Sequence, residues 1–289
     1  MAAWQEGLVP LQWQAELADP PSFVASLHSL ELTGIQVSDA WLDDDQTLDT
    51  LHKGRISLAE KYVAIPCTVS GPTSVDLAGH RAMLDRCAAS GVDMVVLAVD
   101  GSDDRDVFGG RPSEAPALTP EGMQALGQLM AGLTTEIKER SMRASFHPHA
   151  ATYIESPDET RALFDACDNE GLGLCLDTGH WIVGGGDPVS AIREYGSRVT
   201  HIHLKDVDPT ALRRLRDQQV SGMEEAVVRE FLFTTVGAGL LDVDGVLTAL
   251  AQQDYSQWIM LEQDSTPLPA YASTLLSRAV LSFVESRIR

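Results

Sequence analysis

Short apolar runs alternate with longer amphipathic ones along this chain, eight times over. Runs of four to eight residues rich in Val, Ile and Leu read as buried strands, and apolar residues at three- and four-residue spacing read as helices with one covered face. The pattern predicts strands at Leu8–Gln12, Gly34–Val37, Val63–Val69, Val92–Val99, Arg143–His147, Gly173–Leu176, Val199–Leu204 and Trp258–Leu261. It predicts helices at Pro21–Leu30, Asp49–Lys61, Val75–Ser90, Pro120–Arg140, Asp158–Glu170, Pro188–Tyr195, Val243–Gln252 and Pro269–Ile288, with a further helix, Met223–Phe231, in an insertion after the seventh strand. Eight β/α units in 289 residues favour an α/β fold of the (β/α)8 barrel type, one domain over 1–289, rather than an open doubly wound sheet. A dinucleotide-binding fold would carry a G-x-G-x-x-G turn after its first strand, and none is present. Gly184-Gly185-Gly186 stands just before Asp187-Pro188 and reads as a βα loop leading into a helix N-cap, not as a linker.

Charge and cysteine usage narrow the partners. The chain has 21 Lys+Arg against 42 Asp+Glu, a formal net charge of -21, which repels a nucleic-acid backbone and an anionic membrane surface. Much of the acid lies in runs such as Asp43-Asp44-Asp45 that suit solvated loops. Cys67, Cys87, Cys167 and Cys175 form no C-x-x-C pair and sit in apolar surroundings, so buried free thiols in a reducing compartment are expected. The opening Met1-Ala2-Ala3-Trp4-Gln5-Glu6 has no basic segment followed by an apolar core, and no apolar stretch is long enough to span a bilayer. These features predict a cytoplasmic protein with a small-molecule partner, no nucleic acid and no membrane, and they are compatible with a homo-oligomer.

Four side chains stand at or shortly after predicted strand ends: Glu155, Asp177, His203 and Glu262. In a β/α barrel those ends converge on one mouth. Three carboxylates and an imidazole would repel one another there without a cation, and one divalent ion such as Mn²⁺, Co²⁺ or Mg²⁺ suits the mixture. Asp177 follows the apolar Cys175-Leu176 directly, and Glu262 follows Ile259-Met260-Leu261 in the same way. Glu155 is less determined, since a residue just before Ser156-Pro157 can equally cap the next helix. The period of a strand puts His201, His203 and Lys205 on one face, from core to mouth. His201 then suits a hydrogen-bonded core role, His203 a ligand role and Lys205 an acid, base or oxyanion role. His180, three residues after Asp177, suits a contact to substrate.

Five strings carry a resemblance: His147-Pro148-His149-Ala150-Ala151-Thr152-Tyr153-Ile154-Glu155, Leu176-Asp177-Thr178-Gly179-His180, His201-Ile202-His203-Leu204-Lys205-Asp206, Gly237-Ala238-Gly239 and Leu261-Glu262-Gln263-Asp264. Together they resemble the xylose-isomerase-like TIM-barrel superfamily of sugar-phosphate isomerases and epimerases, and within it the inosose (2-keto-myo-inositol) dehydratase branch. The resemblance implies a metal held by Glu155, Asp177, His203 and Glu262, with substrate contacts from His180 and His149. Ketose 3-epimerases of the superfamily place a further Glu after the first metal Glu and an Arg after the metal His. Here those neighbourhoods offer Arg161 and Pro209, which weighs against a ketose epimerase.

The chemistry so implied is a lyase reaction. Polarisation of a carbonyl acidifies the neighbouring C–H, a carboxylate (Glu155 or Glu262) takes the proton, and Lys205 or His149 assists departure of a β-hydroxyl. The expected substrate is a cyclic keto-polyol, and the alternative is a sugar isomerase or epimerase working through a metal-bound enediolate. An endonuclease of the same fold needs more histidines and a basic groove, which the charge opposes, and the four-ligand set opposes a non-catalytic binding protein.

Overall fold

The computed structural model describes residues 4–13, 16–73 and 76–288. Val75, the expected first residue of a helix, and the opening Met1-Ala2-Ala3 lie outside the described residues. Eight parallel strands close into a barrel: β1 (Gln5–Val9), β2 (Gly34–Val37), β3 (Ser57–Ile65), β4 (Met94–Val99), β5 (Arg143–His147), β6 (Leu172–Asp177), β7 (Val199–Leu204) and β8 (Trp258–Glu262). Each pairs with its neighbours in sequence, and β8 pairs with β1 to complete the ring. Outer helices cover it: α1 (Pro20–Ser29), α2 (Asp45–Lys53), α3 (Leu77–Ser90), α4 (Pro120–Glu139), α5 (Pro157–Ala166), α6 (Pro188–Tyr195), α7 (Val243–Gln252) and α8 (Ala270–Ile288).

The main core lies between strands and helices. Outward residues such as Ile35, Leu97, Phe146, Leu174, Ile202 and Leu261 pack there with helical residues such as Leu27, Met130 and Leu250. Helix starts follow the local signals. Thr119 and Asp187 accept backbone N–H groups of α4 and α6, with Pro at the first helical position, and Ser156 with Glu159 forms a capping box on α5. The cysteines are free, and Cys67 is only half-buried where full burial was expected. Among the described residues no helix is long and apolar enough to cross a membrane.

Several expected boundaries move: the strand expected to end at Val69 ends at Ile65, before Pro66, and the helix expected to reach Glu170 stops at Ala166. The strand expected at Leu8–Gln12 runs from Gln5 to Val9, because Pro10 cannot continue the ladder. The helix expected at Asp49–Lys61 is α2, which stops at Lys53. Gly54 caps it, and Arg55 at φ 56° turns the chain into β3, which starts at Ser57 instead of the expected Val63. The pairing of β2 with β3 also skips one residue, since Ile35 lies opposite Leu58 and Gln36 opposite Glu60. This bulge at Ala59 breaks the two-residue alternation. Ala59 packs with Val9, Trp258 and Met260, and the next residue, Glu60, reaches His201 and His203.

The insertion after β7 folds back over the mouth. Asp206–Val207 pairs antiparallel with Phe233–Thr234, and two helices, Pro209–Arg216 and Met223–Arg229, lie between. Asp206 holds the return, its carboxylate accepting the N–H groups of Gly237, Gly239 and Leu241 at 2.8–2.9 Å. A Cβ on Gly239 would meet the Val207 carbonyl oxygen at 2.3 Å, so the Gly237-Ala238-Gly239 string is explained by this close approach.

Candidate metal centre and active site

Barrel register brings the site together. Asp177 at the end of β6 lies opposite His203 on β7, and Glu262 ends β8 two residues beyond Met260, the partner of His203. His147 ends β5 on the other side of Asp177. One ligand atom from each of His147, Asp177, His203 and Glu262 lies within 4.8 Å of all the others, and all four residues are buried. His203 Nδ1 is 2.6 Å from Glu262 Oε2 and 3.9 Å from Asp177 Oδ2, and His147 Nε2 is 3.5 Å from Asp177 Oδ2. Asp177 Oδ2, His203 Nδ1 and Glu262 Oε2 are buried without a hydrogen-bond partner in the protein. Buried polar atoms are seldom left so, and three that converge on one point fit a common cation.

Glu155, expected as the first ligand, belongs to no such group among the described residues. It lies in the loop after β5, where its Oε2 accepts the Ala151 N–H at 3.1 Å and faces the Arg105 guanidinium at 3.6 Å. Arg105 is fully buried and pairs also with Glu159 at 2.9 and 3.2 Å. Burial pushes the Glu155 carboxyl up to about 7 despite Arg105. Chain geometry accounts for this place: eight residues past the strand end, the side chain has left the ring of strand ends that His147 still occupies. The group that meets at the strand ends is two imidazoles and two carboxylates, with Glu155 outside it.

Lys205 sits at the centre of the remaining chemistry. Its Nζ is 3.0 Å from Glu262 Oε1, 3.3 Å from Asp177 Oδ2 and 3.1 Å from Asp264 Oδ2, with the Phe233 ring 4.5 Å away. Burial opposes its charge, but Asp177, Asp264 and Glu262 outweigh burial and hold it protonated. Burial pushes Asp264 up to about 6, whereas Asp177 is held well below the usual carboxylate range because Lys205 and His180 overcome its burial. His180 donates its backbone N–H to Asp177 at 2.8 Å, accepts the Ala150 N–H on Nδ1 at 3.1 Å, and has Nε2 3.1 Å from Lys205 Nζ. Its ring lies 3.7 Å from that of His149. Burial, followed by the neighbouring His147 and Lys205, pushes His149 down to about 3, and its Nδ1–H is donated to the Ala150 carbonyl at 2.7 Å. A neutral His149 so tied has only an acceptor to offer, so it can hold a hydroxyl but is a poor proton donor to a leaving group.

A family model described as xylose isomerase-like TIM barrel matches residues 27–281. The chain belongs to that family. It is 26% identical over 248 residues to an inosose dehydratase of Clostridium botulinum (strain Eklund 17B / Type B), covering 83% of this chain and 73% of that one. Solved structures of similar fold include an L-ribulose 3-epimerase, with a TM-score of 0.73 at 13% identity, covering 99% of this chain and 96% of the other. Another is the IolI protein with a bound zinc atom, with a TM-score of 0.69 at 13% identity and 99% coverage of both chains.

Sequence reasoning within this family missed four residues near the site. His147 has a signal, a strand end inside a His-Pro-His string, but the carboxylate beyond it, Glu155, competes for the same role. Glu60 had a signal too, as a charge inside an apolar run, but the bulge at Ala59 hides which way it faces. Asp264 stands two residues after Glu262 with no pattern of its own to mark it, and Arg105 sits in an acidic loop that reads as solvated.

Proposed function

We propose that this barrel is a divalent-metal-dependent lyase of the inosose dehydratase type, removing water from a cyclic keto-polyol in the cytoplasm. The observation that carries the reading is the buried four-donor cluster with the Lys205 ammonium against two of its carboxylates. His147, Asp177, His203 and Glu262 would hold the ion, which supplies Lewis-acid polarisation of the substrate carbonyl and so acidifies the adjacent C–H. Two imidazoles and two carboxylates suit borderline ions such as Mn²⁺, Co²⁺ or Zn²⁺ better than Mg²⁺, which prefers an all-oxygen shell. Glu262, ionised because Lys205 and His203 outweigh its burial, is the carboxylate placed to take the proton. Lys205, kept charged by Asp264 and its neighbours, gives a proton to the departing hydroxyl. His149, neutral, accepts a hydrogen bond from a ring hydroxyl, His180, neutral and with its Nδ1 taken by the Ala150 N–H, lines the pocket beside it, and Phe233 helps to keep water from the ammonium.

Epimerisation is the second reading, favoured by the likeness in fold to the 3-epimerase. Inversion at one carbon needs acid–base groups on both faces of the substrate, and here an imidazole, His147, occupies one side of the cluster where a carboxylate could have been. The test is NMR of an inosose in D₂O with Mn²⁺-loaded, Zn²⁺-loaded and chelator-treated protein. Release of water with an unsaturated or diketo product, abolished by the chelator, is expected. An epimer or an aldose–ketose pair as the sole product would sink the lyase reading.

A further inference from the structure

Resting on the proposed metal centre, the geometry points to Glu60 as a positioning residue for that centre: its carboxylate fixes His203 with the proton on Nε2 and the lone pair on Nδ1. Glu60 is wholly buried in the barrel interior, where one oxygen, Oε2, is shared by two histidines. His203 Nε2 lies 2.9 Å from it, and His201 Nε2 makes a second, shorter contact. A carboxylate accepts, so both Nε2 atoms donate. A neutral imidazole with its proton on Nε2 presents an unprotonated Nδ1, and on His203 that is the atom 2.6 Å from Glu262 Oε2 and without a hydrogen-bond donor of its own.

With a cation bound at the proposed centre, His203 Nδ1 must offer its lone pair, and Nε2 is left to carry the proton that Glu60 accepts at 2.9 Å. Without the cation, that tautomer would set Nδ1 and Glu262 Oε2, two acceptors, 2.6 Å apart, so the ion and the Glu60 bond favour the same tautomer together. A carboxylate behind a metal-binding histidine also raises the basicity of the ligand nitrogen and prevents the ring from turning. His201 has a separate part in this. It supplies Oε2 with a second donor, so that the buried charge is not left to one bond.

Binding of Zn²⁺ alone to the metal-free full chain tests this, in wild type, Glu60→Gln, Asp177→Asn and, as a control in the core, Tyr255→Phe, which loses the buried bond from Tyr255 to the Trp258 carbonyl. Wild type is expected to bind one equivalent, and Glu60→Gln to bind it roughly 10- to 100-fold more weakly. Tyr255→Phe should lower the melting temperature while leaving Zn²⁺ affinity unchanged. If Glu60→Gln does not fold, ¹⁵N-histidine NMR of the Zn²⁺-loaded wild type decides, with a proton on His203 Nε2 and none on Nδ1 expected. Wild-type affinity in a folded Glu60→Gln, or zinc on His203 Nε2, would overturn the inference. So would two bound equivalents, the second lost in Glu60→Gln, since Glu60, His201 and His203 would then be ligands themselves. Equal binding by wild type and Asp177→Asn is a different failure, because it removes the proposed centre whatever Glu60 does.

Discussion

Glu155 and Glu262 are both buried carboxylates at the mouth of the same barrel, yet their surroundings dispose of negative charge in different ways. Around Glu155 the chain supplies its own cation: Arg105 faces Glu155 and Glu159. One ammonium-like charge against two carboxylates leaves an excess of one, and with its pKa near 7 Glu155 can meet that excess by holding a proton. Around Glu262 the single ammonium of Lys205 faces Asp177, Glu262 and Asp264, an excess of two, while histidine nitrogens stand beside the same carboxylates. Burial makes both imbalances costly, so each demands a counter-charge. A proton suffices in the first cluster, whereas the second has the charge and the donor atoms for a divalent ion. Burial near the mouth is thus a weaker sign of ligation than a place at a strand end together with the absence of a sufficient partner.

Removing a donor from the second cluster should break this contrast most sharply. Asp177→Asn is expected to abolish high-affinity metal binding and turnover, while Glu155→Gln keeps one equivalent of metal by the same titration. If Glu155→Gln loses the metal instead, the two clusters have been assigned the wrong way round.

Lys205→Ala sharpens the comparison from the side of chemistry. Metal should still bind, but dehydration should fall by roughly 10²-fold or more, the scale of one lost acid–base participant. Deuterium exchange at the acidified C–H, followed by NMR in D₂O, should persist, because Glu262 and the donor cluster remain. Loss of exchange and dehydration to the same degree would place Lys205 at the first proton transfer.

The smallest effect is a pH dependence of stability carried by Glu155. Its folded pKa of about 7 lies above the ordinary 4.5 of the unfolded chain, so between those values the folded state holds a proton that the unfolded state has released. Stability from this group is therefore full below about 4.5 and falls as pH rises through 7, by less than about 3 kcal/mol. Glu155→Gln should remove that slope, so denaturant midpoints of wild type and variant should diverge from pH 5 to pH 8 in favour of the variant. Parallel pH curves would show that Glu155 is ionised throughout.

Much of this was legible in particular residues. The apolar runs before Asp177 and Glu262 placed both at strand ends, and the alternation in His201-Ile202-His203-Leu204-Lys205 put three basic groups on one face in the order the structure keeps. Lys205 lies buried, and its neighbour Asp206 binds the Gly237–Leu241 turn and not the ammonium. Arg105 and Glu60 could not be read, because the partners that justify burying them lie 54 residues and more than 140 residues away along the chain.

Local periodicity and capping, which depend on neighbours a few residues apart, determined the eight β/α units, and with them the barrel and the end of it at which chemistry gathers. The tertiary structure alone decided which nitrogen and oxygen atoms meet. It put His147 in the cluster, drew Glu155 toward Arg105, and turned Glu60 inward through one extra residue at Ala59. The physical reason is range: a strand's period is set by its own backbone, whereas a buried charge is satisfied only by groups that closure of the barrel brings within about 3 Å.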